Sequence, residues 1–161
     1  MYRIKYTQKI PLSLKESWEF FSKPENLKIL TPKHLGFVIK NSQDLSVMYE
    51  GQVIAYTIYP FLGIPVEWVS EITHVEENRY FIDRQQLGPY KYWHHEHRFE
   101  PLKNGVEMVD IVYYEMPFGI LGKALHFMKI RRDIEEIFIY RRSVLEKMFG
   151  TYHQELPGIS T

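Results

Sequence analysis

From about Gly36 to Met116 the chain reads as strand-length segments separated by turn residues roughly every 10 to 14 positions. That run limits the possible folds more than any other feature. Strands are expected near 36–42, 50–59, 65–75, 79–87, 91–101 and 106–116. They are joined at Pro60 to Pro65, Glu76 to Asn78, Gly88-Pro89 and Asn104-Gly105, the last pair being a strong hairpin signal. Consecutive hairpin-like strands predict a mainly antiparallel sheet. After Pro117 and Gly119 the apolar period becomes helical, with Leu121, Leu125, Met128, Ile134, Ile137, Phe138, Leu145 and Met148 recurring at three and four. Arg131-Arg132-Asp133 reads as a break in that helix, with Asp133 capping its second part.

Ahead of the run, residues 2–10 read as a strand that Pro11 ends. Ser13 and Glu16 have the spacing of a capping box, and Leu14, Trp18 and Phe21 then share one helical face. A second start at Ser22-Lys23-Pro24-Glu25 places Pro24 in a first turn, with Leu27 and Leu30 on the buried side and Thr31-Pro32 as the stop. The expectation is an α+β chain: one strand, two short helices, six strands, and a long C-terminal helix. Residues 1–150 read as a single domain and 151–161 as a frayed tail.

Composition narrows the function classes. Twenty Lys plus Arg balance twenty Asp plus Glu, so no basic footprint exists for phosphate and no nucleic-acid partner is expected. The absence of Cys removes disulfides, thiol nucleophiles and Cys-ligated zinc. The N-terminal residues carry no apolar signal-like run. The longest apolar stretch, Tyr56 to Val69, is broken by Pro60, Gly63 and Pro65, so no membrane insertion is expected. A cytoplasmic protein without a cofactor is the resulting expectation. Aromatic residues make up 16% of the chain, enough that some can line a pocket as well as fill a core. Nothing in the composition sets an oligomeric state.

The order of elements, together with several motif-like groups, resembles the SRPBCC superfamily of START-like and Bet v 1-like helix-grip proteins. Within it the chain is similar to ligand-binding members near the polyketide cyclase/dehydrase group. The groups are Ser17-Trp18-Glu19-Phe20-Phe21 with Leu27, Leu30, Thr31 and Pro32; Trp68 with Ile72; Phe81 and Asp83; Gly88-Pro89-Tyr90; Trp93, His95, His97 and Phe99; and Asp110, Tyr114, Pro117 and Gly119. The resemblance spans roughly residues 2–149. It implies a curved antiparallel sheet of about seven strands wrapped around the C-terminal helix. It also implies a ligand of the lipid, steroid, quinone or polyketide kind.

Register arithmetic places candidate site residues. A two-residue turn at Asn104-Gly105 would set Lys103 opposite Val106, hence Phe99 opposite Asp110, His97 opposite Val112, His95 opposite Tyr114 and Trp93 opposite Met116. These residues share one face, less polar than the face of Tyr92, His94, Glu96 and Arg98, and so are expected to face the helix. A turn pairing Glu76 with Arg79 would set Phe81 opposite His74, Asp83 opposite Ile72, Gln85 opposite Ser70 and Leu87 opposite Trp68. A loop from Gly88 to Tyr92 would add Asp83 and Gln85 to the same face as His95 and His97.

Asp110 needs a partner, because an unpaired buried carboxylate is costly. The expected ligand-binding set is Trp93, His95, His97, Phe99, Asp110, Val112, Tyr114, Trp68, Asp83, Gln85 and Met128, around a small hydrophobic molecule. Tyr56 competes between cavity and core, and Trp18 and Phe21 read as core. One alternative is a satisfied internal network that holds the sheet. Another is acid–base catalysis by His95, His97 and Asp110, as in a cyclase or dehydratase, imidazole titrating near neutrality. His95 and His97 point the same way on a strand, but without Cys or an evident third ligand no metal is expected. Arg131-Arg132 and Arg141-Arg142 read as solvated helix faces.

Overall fold

The computed structural model describes residues 1–40, 47–61, 64–117, 119 and 129–153. In chain order the elements are β1 (Tyr2–Ile10), α1 (Leu14–Phe21), α2 (Leu27–Leu30), β2 (Val38–Ile39), β3 (Val53–Phe61), β4 (Ile64–Glu76), β5 (Tyr80–Leu87), β6 (Tyr92–Leu102), β7 (Gly105–Glu115) and α3 (Arg131–Phe149). The strands form one curved, open antiparallel sheet ordered β1-β7-β6-β5-β4-β3-β2. Every neighbour is a sequence neighbour except β1, which crosses to pair along its whole length with β7, from Tyr2 opposite Tyr114 to Ile10 opposite Val106. The α+β helix-grip-like arrangement expected from the sequence is present.

Local chemistry explains the ends of α1. The Ser13 hydroxyl accepts from Glu16 N at 3.2 Å, and Glu16 Oε2 accepts from Ser13 N at 2.9 Å, so two N–H groups that the first turn would orphan are both satisfied. The helix turns Trp18 and Phe21 onto the sheet, where Trp18 stands edge-on to Phe81 and Phe99. With Ile10, Leu30, Ile72, Met108 and Leu145 these make the larger core. A second core, Val112, Tyr114 and Ile134, lies under the start of α3, with Trp93, Tyr90 and Phe138 packed against it.

The hairpins differ from the sequence reading in ways that matter for the faces. The β6–β7 turn falls on Lys103-Asn104, with Leu102 opposite Gly105. None of these residues has a positive φ, so the primed turn that Asn-Gly favours is not formed. The pairing therefore moves: His97 lies opposite Asp110, His95 opposite Val112, Trp93 opposite Tyr114 and Phe99 opposite Met108. Each partner slides by two residues, which preserves the face, since side chains alternate with period two.

At β4–β5 the turn is Glu77-Asn78-Arg79, with Asn78 left-handed at φ 60 and Glu76 opposite Tyr80. Phe81 thus meets Val75 rather than His74, and Leu87 meets Val69 rather than Trp68. A bulge between Ile72 and His74 takes up one residue, after which Ile72 faces Asp83 and Ser70 faces Gln85 as expected. The β3–β4 strands also run further into the apolar tip than expected, to Phe61 opposite Ile64.

At Ile130 the backbone is already helical, with φ −60 and ψ −42. Asp133 therefore does not cap a new helix; it accepts from Lys129 Nζ at 2.7 Å inside the first turn. Residues 120–128, including Met128, and 154–161 of the expected tail lie outside the described residues. Tyr152, by contrast, is half-buried with Lys9 Nζ 5.7 Å over its ring. Along the free side of β1, Arg142 Nη2 donates to the Thr7 carbonyl at 3.0 Å and Gln8 Nε2 donates to the Arg142 carbonyl at 3.3 Å. No helix among the described residues is long and apolar enough to cross a membrane.

Candidate functional site

Three neighbouring strands and one helix converge on a buried charged cluster. Because β6 alternates, His95 and His97 emerge on the concave face; Asp110 on β7 is the partner of His97, and Asp83 on β5 is the partner of His95. Arg141 descends from α3. His95 Nε2 lies 3.0 Å from Asp110 Oδ1, which also takes Arg141 Nη1 at 3.1 Å. His97 Nε2 lies 3.0 Å from Asp83 Oδ2, and its Nδ1 is 2.9 Å from Asp110 Oδ1. That last contact is out of line for a hydrogen bond, so it counts as a charge contact only. The rings of His95 and His97 sit 3.7 Å apart, and Phe81 stacks on His97 at 4.2 Å. Arg141 also lies 5.1 Å over the Phe21 ring and reaches Met108 Sδ at 3.1 Å.

Electrostatics give each group a state. Burial would raise the Asp110 carboxyl, but Arg141 and then the two histidines outweigh it and hold it well below the usual carboxylate range. Asp83 is also held down, its burial outweighed by the His97 hydrogen bond and His95. Burial would depress His97 too, yet its contacts with Asp110 and Asp83 hold its pKa above the ordinary imidazole value. His95 is held below that value by burial and by the neighbouring His97. These opposite directions favour the proton on His97 over His95, an arrangement in which two cations would balance two carboxylates. The tautomer that fits the contacts puts the His95 proton on Nε2, donating to Asp110.

Beside the cluster on the same face lies a panel of aromatic rings. Tyr56 stacks on Trp68 at 5.8 Å; Trp68 meets Trp93 at 5.2 Å and Tyr90 at 5.5 Å; Tyr90 and Trp93 both meet Tyr114. Trp68 Nε1 donates to Ser70 Oγ at 3.0 Å, and Ser70 Oγ lies 3.5 Å from Asp83 Oδ1, joining panel and cluster. Burial pushes Tyr114 up to about 12 and raises Tyr56 and Tyr90 as well, so these phenols stay protonated and the panel uncharged. A separate cleft of about 320 Å³ between β1 and α3 reaches Tyr114 but no other ring of the panel, and is bounded by residues 2–6, among them Arg3 and Lys5, and by Arg131 and Glu135.

This architecture is shared with solved structures. Protein TTHA0849 of Thermus thermophilus is similar over 91% of this chain and 95% of its own, with TM-score 0.68 and 18% identity. Protein CV1439 of Chromobacterium violaceum is similar over 94% and 100%, with TM-score 0.70 and 12% identity. Protein Ms6760 of Mycobacterium smegmatis is similar over 94% and 93%, with TM-score 0.67 and 14% identity. The chain has a helix-grip-like fold. At these identities the likeness concerns the fold alone. No protein-family model and no curated protein matches the sequence.

On the helix-grip scaffold the expected residues divide. His95, His97, Asp110 and Asp83 meet in the cluster, and Trp93, Tyr114 and Trp68 in the panel. Phe99 and Val112 lie in the two cores. Gln85 is turned to the β5–β6 loop, donating to the Tyr90 carbonyl at 2.7 Å and accepting from Tyr90 N at 3.4 Å. Arg141 corrects the sequence reading: it is not a solvated residue but a buried partner of Asp110. Its position carried the signal, since it follows Ile134 by seven and precedes Leu145 by four, inside the apolar stripe of α3. Arg142, Arg131 and Arg132 are exposed as expected, the last two paired with Glu135 and Glu136.

Proposed function

We propose that this protein binds a small, largely apolar molecule with one polar end, the apolar body against Trp68, Tyr90, Trp93 and Tyr114 and the polar end at Asp83 and His95. The observation that carries the reading is the adjacency on one concave face of an uncharged aromatic panel and a buried charged cluster. Ligand sites are mostly apolar with a few convergent polar groups, which matches that adjacency. The sequence resemblance to ligand-binding SRPBCC proteins points the same way.

Displacement of an environment-sensitive fluorescent fatty acid, together with native mass spectrometry of the purified protein, tests this. Trp93 is only half-buried, so Trp93→Ala is expected to fold and to weaken probe binding about tenfold, the worth of one large aromatic contact. No uptake of any apolar probe, or uptake indifferent to both Trp93→Ala and Tyr90→Ala, overturns the proposal.

One observation favours a second reading, proton transfer by His95. Asp110 holds the neutral imidazole by Nε2, the arrangement of an oriented general base. A cyclase or dehydratase of this kind would lose turnover in His95→Ala while keeping its fold.

A further inference from the structure

In the cluster, the tautomer that donates His95 Nε2–H to Asp110 leaves one pair of atoms facing without a proton between them. With its proton on Nε2, His95 turns the Nδ1 lone pair toward Asp83 Oδ2, 3.5 Å away. His97 Nε2 stands 3.0 Å from the same carboxylate oxygen. Asp83, His95 and His97 each offer one ligand atom within 4.8 Å of the others. Ligands about 2.0–2.2 Å from a first-row ion lie roughly 3 to 3.5 Å from one another, which the two separations from Asp83 Oδ2 match. From this convergence we infer that Asp83, His95 and His97 form a binding site for a divalent first-row transition-metal ion such as Zn²⁺ or Fe²⁺.

The surroundings are those of a metal site as well as of an ion-pair network. Ligating histidines commonly turn their other ring nitrogen to a carboxylate, which fixes tautomer and ring orientation. Here His95 does so, its Nε2 3.0 Å from Asp110 Oδ1, while His97 Nδ1 lies 2.9 Å from the same oxygen as a charge contact only. Arg141 holds that carboxylate in place from α3. All three ligands come from paired strands, so the ladder rather than a loop sets their spacing. Binding exchanges a proton for the cation: Asp83 Oδ2, His95 Nδ1 and His97 Nε2 bond to M²⁺, and the His97 Nε2 proton leaves to solvent. Two histidines and one carboxylate leave coordination positions for water or a ligand oxygen, the pattern of reactive rather than structural sites. Through Ser70 and Trp68 the Asp83 side borders the aromatic panel.

Chelator-treated full-length protein titrated with Co²⁺ and Zn²⁺ is the test. The expected result is one ion per chain, visible Co²⁺ absorption that Zn²⁺ abolishes, and about one proton released per ion. Histidine ring-nitrogen NMR on the unmodified protein should show His95 Nδ1 and His97 Nε2 shifting on Zn²⁺ addition. Asp83→Asn and His97→Gln should abolish the Co²⁺ signal, and Asp110→Asn should weaken binding about 10- to 100-fold as a positioning change. His94→Gln, on the opposite face, should leave binding unchanged. Absence of uptake, or uptake without shifts at His95 and His97, overturns the inference even if every variant misfolds. The inference stands independently of the ligand proposal, because chelated protein that still takes up the apolar probe but binds no ion defeats this one alone.

Discussion

Asp110 shows how one buried charge organises its neighbours. A carboxylate in this position requires compensation, and Arg141 and the two histidines supply it from three directions. Removing one partner of a buried ion pair costs about 3–5 kcal/mol when nothing replaces it. Because the histidines remain, Arg141→Met is expected at the lower end, about 3 kcal/mol, in equilibrium urea unfolding. The double variant Arg141→Met/Asp110→Asn should lose less than the sum of the single losses, as contacting groups do. The need for this partner was legible in the sequence, and the spacing from Ile134 and Leu145 marked Arg141 for the role, but reading Arg141-Arg142 together as a solvated face hid it. The angle about α3 sends the first inward and the second to the Thr7 carbonyl.

Secondary structure was legible where local chemistry decides it. The Ser13–Glu16 box forms as its spacing predicts, and the Ser13 contacts hold Glu16 below its ordinary value of 4.5. A carboxylate with a depressed folded pKa contributes stability above its unfolded value, and that contribution is lost as pH falls through the folded one. Ser13→Ala should therefore lower the urea midpoint at neutral pH, and the gap to wild type should narrow as pH drops below 4.5. Hairpin register was legible only to parity. Asn104-Gly105 misplaced the turn by one residue, and the bulge near Thr73 has no sequence signature, yet Asp83, His95, His97 and Asp110 still share a face. Parity survives such shifts because two residues restore a side chain to its side, whereas exact partners depend on backbone angles that residue type only biases.

Across the molecule, local and distant pairings divide the labour. Strands β2 to β7 are joined in sequence, while β1 must find β7 across about two thirds of the chain. Sheets closed by such non-local pairing fold in roughly milliseconds to seconds, since the loop must close before the contacts reward it. If β1 docks last, Ile10→Val, at a buried position opposite Val106, should cost about 1 kcal/mol. Stopped-flow measurements should then show faster unfolding with refolding nearly unchanged.

The way α3 leans on β1 bears on how these molecules behave in company. An open sheet has two margins, and each is an invitation for another chain to add a strand. Here one margin is β2, only two residues long, and at the other Arg142 occupies the Thr7 carbonyl while Gln8 is tied to the helix backbone. The arginine beside the one that neutralises Asp110 thus takes up one carbonyl of β1, leaving one fewer acceptor there for a strand from another molecule.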